Sequence, residues 1–94
     1  MKNSRVVLVS TRRYSTEQNE IILSLLDRGY VLFCVVGVDC EKIEDIIDEL
    51  AIGDSITPKF ITTTSHPAES VDDVINFAKM LTLDSKSDID VLII

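Results

Sequence analysis

The sequence predicts an α/β fold in which four parallel strands alternate with three helices. Three observations carry that expectation. Short apolar segments of strand length alternate with segments whose apolar residues recur at helical spacing. The first two strand segments are apolar on both faces, as in a parallel sheet buried under helices. Strands of about six residues and helices of about 12 to 14 each span ~20 Å, the match that crossover helices need.

Taken in order, Arg5 to Ser10 reads as a buried strand, short and β-branched. Ser15 follows as an N-cap, with Gln18 three residues on completing a capping box. Ile21, Ile22, Leu25 and Leu26 form the apolar face of the first helix, and Gly29 falls at its C′ position. Tyr30 to Val38 is continuously apolar and reads as an interior strand. Asp39 is the expected cap of a second helix, which buries Ile43, Ile46, Ile47 and Leu50 and turns most of its acidic residues outward. Ala51-Ile52-Gly53 closes it, and Asp54 to Pro58 form a loop.

Lys59 to Thr64 is the third strand, rich in threonine and less apolar than the first two. Ser65-His66-Pro67 turns the chain. The third helix starts either at His66, with Pro67 at N1, or at Ser70, with Asp73 as its capping partner; Ser70 is preferred, because Val71, Val74, Ala78 and Leu81 then form the inner stripe. Asp84 to Ser87 is a turn before a last strand, Ile89 to Ile94. Right-handed crossovers leave two strand orders, 3-2-1-4 and 2-1-3-4. The first places the two most apolar strands inside and is preferred. Either order is a three-layer sheet, Rossmann-like or flavodoxin-like in the broad sense.

Composition narrows the classes of function. Ninety-four residues, 46% hydrophobic and 27% charged, are expected to make one globular domain. Nine basic residues stand against sixteen acidic ones, a net charge of −7. That field repels phosphate backbones and anionic membranes, so nucleic-acid and membrane binding are not expected. The start of the chain shows no secretory pattern, and its two cysteines do not form a disulfide framework, so a reducing cytoplasm is the expected location.

In parallel sheets ligands bind beyond the carboxyl ends of the strands. Here that rim is built from Ser10, Thr11, Arg12 and Arg13, from Gly37 to Cys40, and from Thr63 to His66. Ser10, Thr11, Arg12 and Thr64 are the candidate ligand contacts. No glycine occurs between Ser10 and Asp27, so the backbone cannot close on a pyrophosphate and no nucleotide cofactor is expected. Cys40 at the start of a helix, with His66 as base and Asp39 or Glu69 as orienter, is the candidate catalytic set. Against it, Asp39 opposes the helix dipole at Cys40, oxyanion glycines are missing, and no arginine stands where a phosphatase loop needs one. The spacing of Cys, His and Asp gives no metal-ligand pattern. Cys40 is therefore expected to be a structural thiol of ordinary reactivity.

The segments RGYVLFCVVGVDCEKIEDIIDEL and FITTTSHPAESVDDVINFAKM resemble a family of small bacterial α/β proteins of unknown function. The likeness rests on Gly29, Gly37, Asp39, Cys40, Asp45, Asp48, Thr63, Thr64, His66, Phe77 and Ala78. Val36, Ile43 and Ser65 stand where that family tends to carry tryptophan. The resemblance implies the fold and brings no reaction with it. The expectation is a non-enzymatic protein that binds a protein partner, most simply itself as a C2 homodimer. Three helices cannot cover both faces of four strands evenly, and a dimer buries what they leave.

Overall fold

The structure, a computed structural model, describes residues 5–53, 61–80 and 89–94. Its elements alternate as the sequence predicts: β1 (Arg5–Ser10), α1 (Gln18–Asp27), β2 (Leu32–Gly37), α2 (Cys40–Ile52), β3 (Thr62–His66), α3 (Val71–Met80) and β4 (Ile89–Ile93). Among the described residues the strands form one parallel sheet in the order β3-β2-β1-β4. The two most apolar strands are interior, as their composition requires.

Strand alternation divides the core in two. Val6, Leu8, Phe33 and Val35 face α1 and α2, where they pack on Ile22, Leu25, Leu26, Ile43 and Ile47. Val7, Leu32, Cys34 and Val36 face the other way, onto Val74 and Ala78 of α3. Each helix thus buries one stripe, and β1 and β2 are covered on both sides.

Four expectations need correction. Ser15 does not begin α1: its main-chain oxygen accepts from Gln18 N–H at 3.0 Å in a turn, and the helix starts at Gln18. That turn rotates the helix so that Gln18 is fully buried and Ile21 is exposed. Asp39 occupies the N-cap position of α2 but makes no capping bond. Its backbone is left-handed at φ 54°, which aspartate tolerates better than most residues, and its carboxylate turns to the β1–α1 loop instead. The third strand continues through Ser65 and His66 rather than turning there. Lys59 and Phe60, with the expected loop at 54–58, Leu81 and the turn at 84–87, lie outside the described residues. Ser70 does cap α3, its hydroxyl accepting from Asp73 N–H at 3.2 Å.

The α1–β2 loop is tied to β4 by Tyr30, whose hydroxyl donates to Asp90 Oδ2. That bond, with burial and the Asp90 charge, raises the tyrosine pKa above 10.0. Raising an acid's pKa on folding adds stability while the group is protonated and removes it as pH climbs through the folded value. Tyr30→Phe is expected to cost about 1 kcal/mol at neutral pH, because one hydrogen bond to a charged group beside an open surface is lost. Urea midpoints of variant and native chain should draw together well above pH ~10, where the native hydroxyl ionises. A gap that stays constant with pH would remove the hydrogen bond from this role.

Candidate functional site

The carboxyl rim of the sheet is closed by main-chain bonds. Ser10 Oγ donates to the Arg12 carbonyl at 3.0 Å, and Thr11 Oγ1 donates to the Ile94 carbonyl at 2.9 Å. Val38 N–H donates to the Ser10 carbonyl at 3.1 Å, across the close approach of β1 and β2. Asp39 Oδ2 accepts from Tyr14 N–H at 2.9 Å and so ties the first loop to the start of α2. Lys42 Nζ lies 5.6 Å from the centre of the Tyr14 ring. Arg12 and Arg13 are exposed.

Cys40 and His66 do not meet. Cys40 is buried in the α1/α2 core, with Ile43 and Ile47 as its neighbours in that cluster. Along β3 the side chains alternate. Thr63 and Ser65 reach Asp48 and Glu44 of α2, at 2.8 and 3.1 Å, while Thr64 and His66 point to the α3 side. Because the strand runs on through His66, its ring is committed to the face opposite Cys40. A loop histidine could have swung between faces; a strand histidine cannot.

What His66 does meet is a polar chain on the α3 face. Its Nδ1 pairs with Glu69 Oε2, and its Nε2 lies 2.8 Å from Thr64 Oγ1. When Nδ1–H donates to the carboxylate, Nε2 is the acceptor for the threonine hydroxyl. Thr64 also stands beside Cys34, its partner across the β2–β3 ladder. The His66 ring packs edge-on against Phe77, with centroids 4.7 Å apart. Sequence reading missed Cys34 as part of this group. Its position one residue out of phase with Phe33, on the face shared with Thr64, follows from alternation once the pairing is known.

A hydroxyl, an imidazole and a carboxylate in line resemble a nucleophile, base and orienter by geometry. Their surroundings do not suit acyl transfer. His66 is buried, and Thr64 is half-buried beside its ladder partner Cys34. Burial pushes the Cys34 thiol above 9.0, so this sulfur is held as a thiol. The chain is a polar pin, buried at His66 and open to solvent at Glu69, that fastens the loop before α3 to β3. Among the described residues no cluster of His, Cys, Asp and Glu has a metal-holding arrangement.

Both cysteines are free and buried. Neither is therefore expected to react with a disulfide reagent such as dithionitrobenzoate in the native state; both should react once urea unfolds the chain. Rapid labelling of native Cys40, compared between Cys34→Ser and the native chain, would overturn its assignment as a packing residue.

Gln18 is the other residue whose role the sequence hid. Its amide is fully buried, and neither Nε2 nor Oε1 has a hydrogen-bond partner among the described residues. Among those residues no helix is long and apolar enough to cross a membrane. No curated protein and no solved structure matches the chain. A family model, described as Domain of unknown function (DUF7684), matches residues 1–94, and the chain belongs to that family.

Proposed function

We propose that this protein works by association with a second copy of itself through the outer edge of β4, and not by catalysis. The observation that carries this reading is the edge itself. β4 pairs with β1 on one side, and among the described residues nothing pairs with its other side. Ile94 exchanges main-chain bonds with Val9 and Thr11, so Leu92 and Asp90, in phase with it, also turn their backbone groups inward. Ile89, Val91 and Ile93 then turn theirs outward. Two of those residues are apolar and open to solvent, Val91 at 46% and Ile93 at 69% exposure. Met80, at the end of α3 on the same face, is 83% exposed. An apolar edge with unpaired backbone groups invites another strand.

A second copy fits for reasons of charge and symmetry. Two β4 strands related by a two-fold axis pair antiparallel and extend the sheet across the dimer. Outward residues must face outward residues. A register centred between Val91 and Ile89 would set Asp90 against Asp90 and is excluded by like charge. Centring on Val91 sets Val91 on Val91 and Ile89 on Ile93, with Asp90 opposite Leu92. All three outward apolar residues then find apolar partners. A standard interface takes ~800 Å² from each partner, a modest part of the 5950 Å² this chain exposes.

The competing reading, a ligand or catalytic site at the rim, has weaker support. The hydroxyls of Ser10 and Thr11 are engaged with main chain, Thr64 is engaged with His66, and Cys40 and His66 stand on opposite faces. Two buried free cysteines suit a reducing cytoplasm.

Light scattering over a dilution series tests the proposal. At micromolar concentration the native chain should approach twice the mass of the 10.5 kDa protomer, and more completely in salt, which screens the −7 charge of each copy. Ile93→Lys should return it to the protomer mass without loss of thermal stability in the monomer. A native chain that stays at the protomer mass sinks the proposal.

A further inference from the structure

The sheet has a second open edge, at β3. Among the described residues β3 pairs only with β2. Thr62 N–H donates to the Val31 carbonyl at 2.8 Å, so Thr62, Thr64 and His66 turn their main-chain groups toward β2. Thr63 and Ser65, out of phase with them, turn theirs outward, where a further strand would bond. Unlike β4, this edge carries polar side chains on both faces.

Its walls are acidic. The Thr63 hydroxyl donates to Asp48 and the Ser65 hydroxyl to Glu44, which brings one flank of α2 over the edge. At 3.6 residues per turn, Glu41 and Asp45 share that flank with Glu44 and Asp48, all within about 100° of one another. Glu41, Asp45 and Asp48 are exposed, and a carboxylate that takes one hydroxyl keeps further acceptor sites. Lys42, the one cation of α2, turns to the Tyr14 ring in the first loop. On the other face Glu69 is half exposed beside His66, and Asp73 lies one turn before Phe77, which packs on that ring.

We propose that the outer edge of β3 docks an extended basic segment of a partner protein, which joins the sheet as a further strand. Main-chain bonds to Thr63 and Ser65 hold the segment, and its alternate lysine or arginine side chains meet the α2 carboxylates. The −7 charge of the chain draws such a segment in. The same walls exclude a second copy. Two β3 edges would set carboxylate against carboxylate, and β4, Ile89–Ile93, brings no cation to them. A dimer joined through β4 leaves one β3 edge at each end of its sheet, so both associations are compatible.

Titration of isotope-labelled protein, followed by amide chemical shifts and hydrogen exchange, tests this directly. The probe is a capped Lys-Thr-Lys-Thr-Lys-Thr-Lys peptide. One comparator carries glutamate for each lysine; the other is the lysine peptide methylated at every main-chain nitrogen, which keeps the charge and cannot donate as a strand. The lysine peptide should shift Thr62–His66 saturably and slow exchange at the Thr63 and Ser65 amides. Each comparator should bind at least about tenfold more weakly, since one loses the charge pairing and the other the strand pairing. Glu44→Gln with Asp48→Asn keeps an acceptor for both hydroxyls and should weaken the lysine peptide about fivefold while the rest of the spectrum stays native. No saturable shift, a comparator that binds as tightly, undiminished binding to the double variant, or shifts centred on β4 would each overturn the proposal. The titration is repeated in Ile93→Lys, so that its result does not depend on β4 pairing.

Discussion

Gly37→Ala is expected to lower the stability of this fold by about 3–5 kcal/mol, the largest effect expected at any of its three glycines. Gly37 ends β2 with φ +104°, a conformation that side-chain-bearing residues rarely adopt. A Cβ there would lie 2.3 Å from the Ser10 carbonyl oxygen, which is main chain of the neighbouring central strand. Neither atom can yield cheaply, because Ser10 is held by the Val38 N–H and by the β1–β2 ladder. Gly29→Ala is the internal comparison. It has φ +94° but nothing within 4 Å of the new methyl, so only the backbone strain of about 1–2 kcal/mol applies. Urea unfolding of the two variants separates collision from strain. Equal losses would mean that the strands do not approach as closely as described.

His66→Ala should cost about 2–4 kcal/mol. The substitution removes the ring that packs on Phe77 and leaves the Thr64 hydroxyl and the Glu69 carboxylate without their shared partner. Glu69→Gln keeps an acceptor for the ring nitrogen and should cost less than ~1 kcal/mol, since Glu69 is half exposed. A His66→Ala chain as stable as the native one would mean that the polar chain is not a structural pin, and would return His66 to the search for chemistry.

The architecture was legible because its signals are local. Apolar runs in β1 and β2 are long enough to require burial on both faces, and that alone placed them inside the sheet. Gly29 and Ser70 mark helix ends through backbone geometry that few other residues satisfy. The candidate site was less legible because it depends on phase. Reading β3 as ending at Thr64 left His66 in a turn, free to face Cys40; two more strand residues sent it to the other side of the sheet. A threonine-rich strand gives no hydrophobic alternation to set that phase. The same holds for Cys34, which looked like one more apolar residue until its neighbour across the ladder, Thr64, was known. Gln18 fitted a capping box by spacing, but a turn of main chain took the cap and buried the amide instead.

Hydrogen exchange at β4 is the most direct measurement of self-association. In a lone protomer the outward amides of Ile89, Val91 and Ile93 meet water, whereas those of Asp90, Leu92 and Ile94 are turned to β1. Pairing of two β4 edges must protect Val91 and Ile93. The expected result is slow exchange at both amides at high protein concentration, giving way to fast exchange on dilution or in Ile93→Lys, with Leu92 slow throughout. Fast exchange at Val91 and Ile93 at every concentration, beside a protected Leu92, would show that β4 is a solvated edge and that the protein does not pair there.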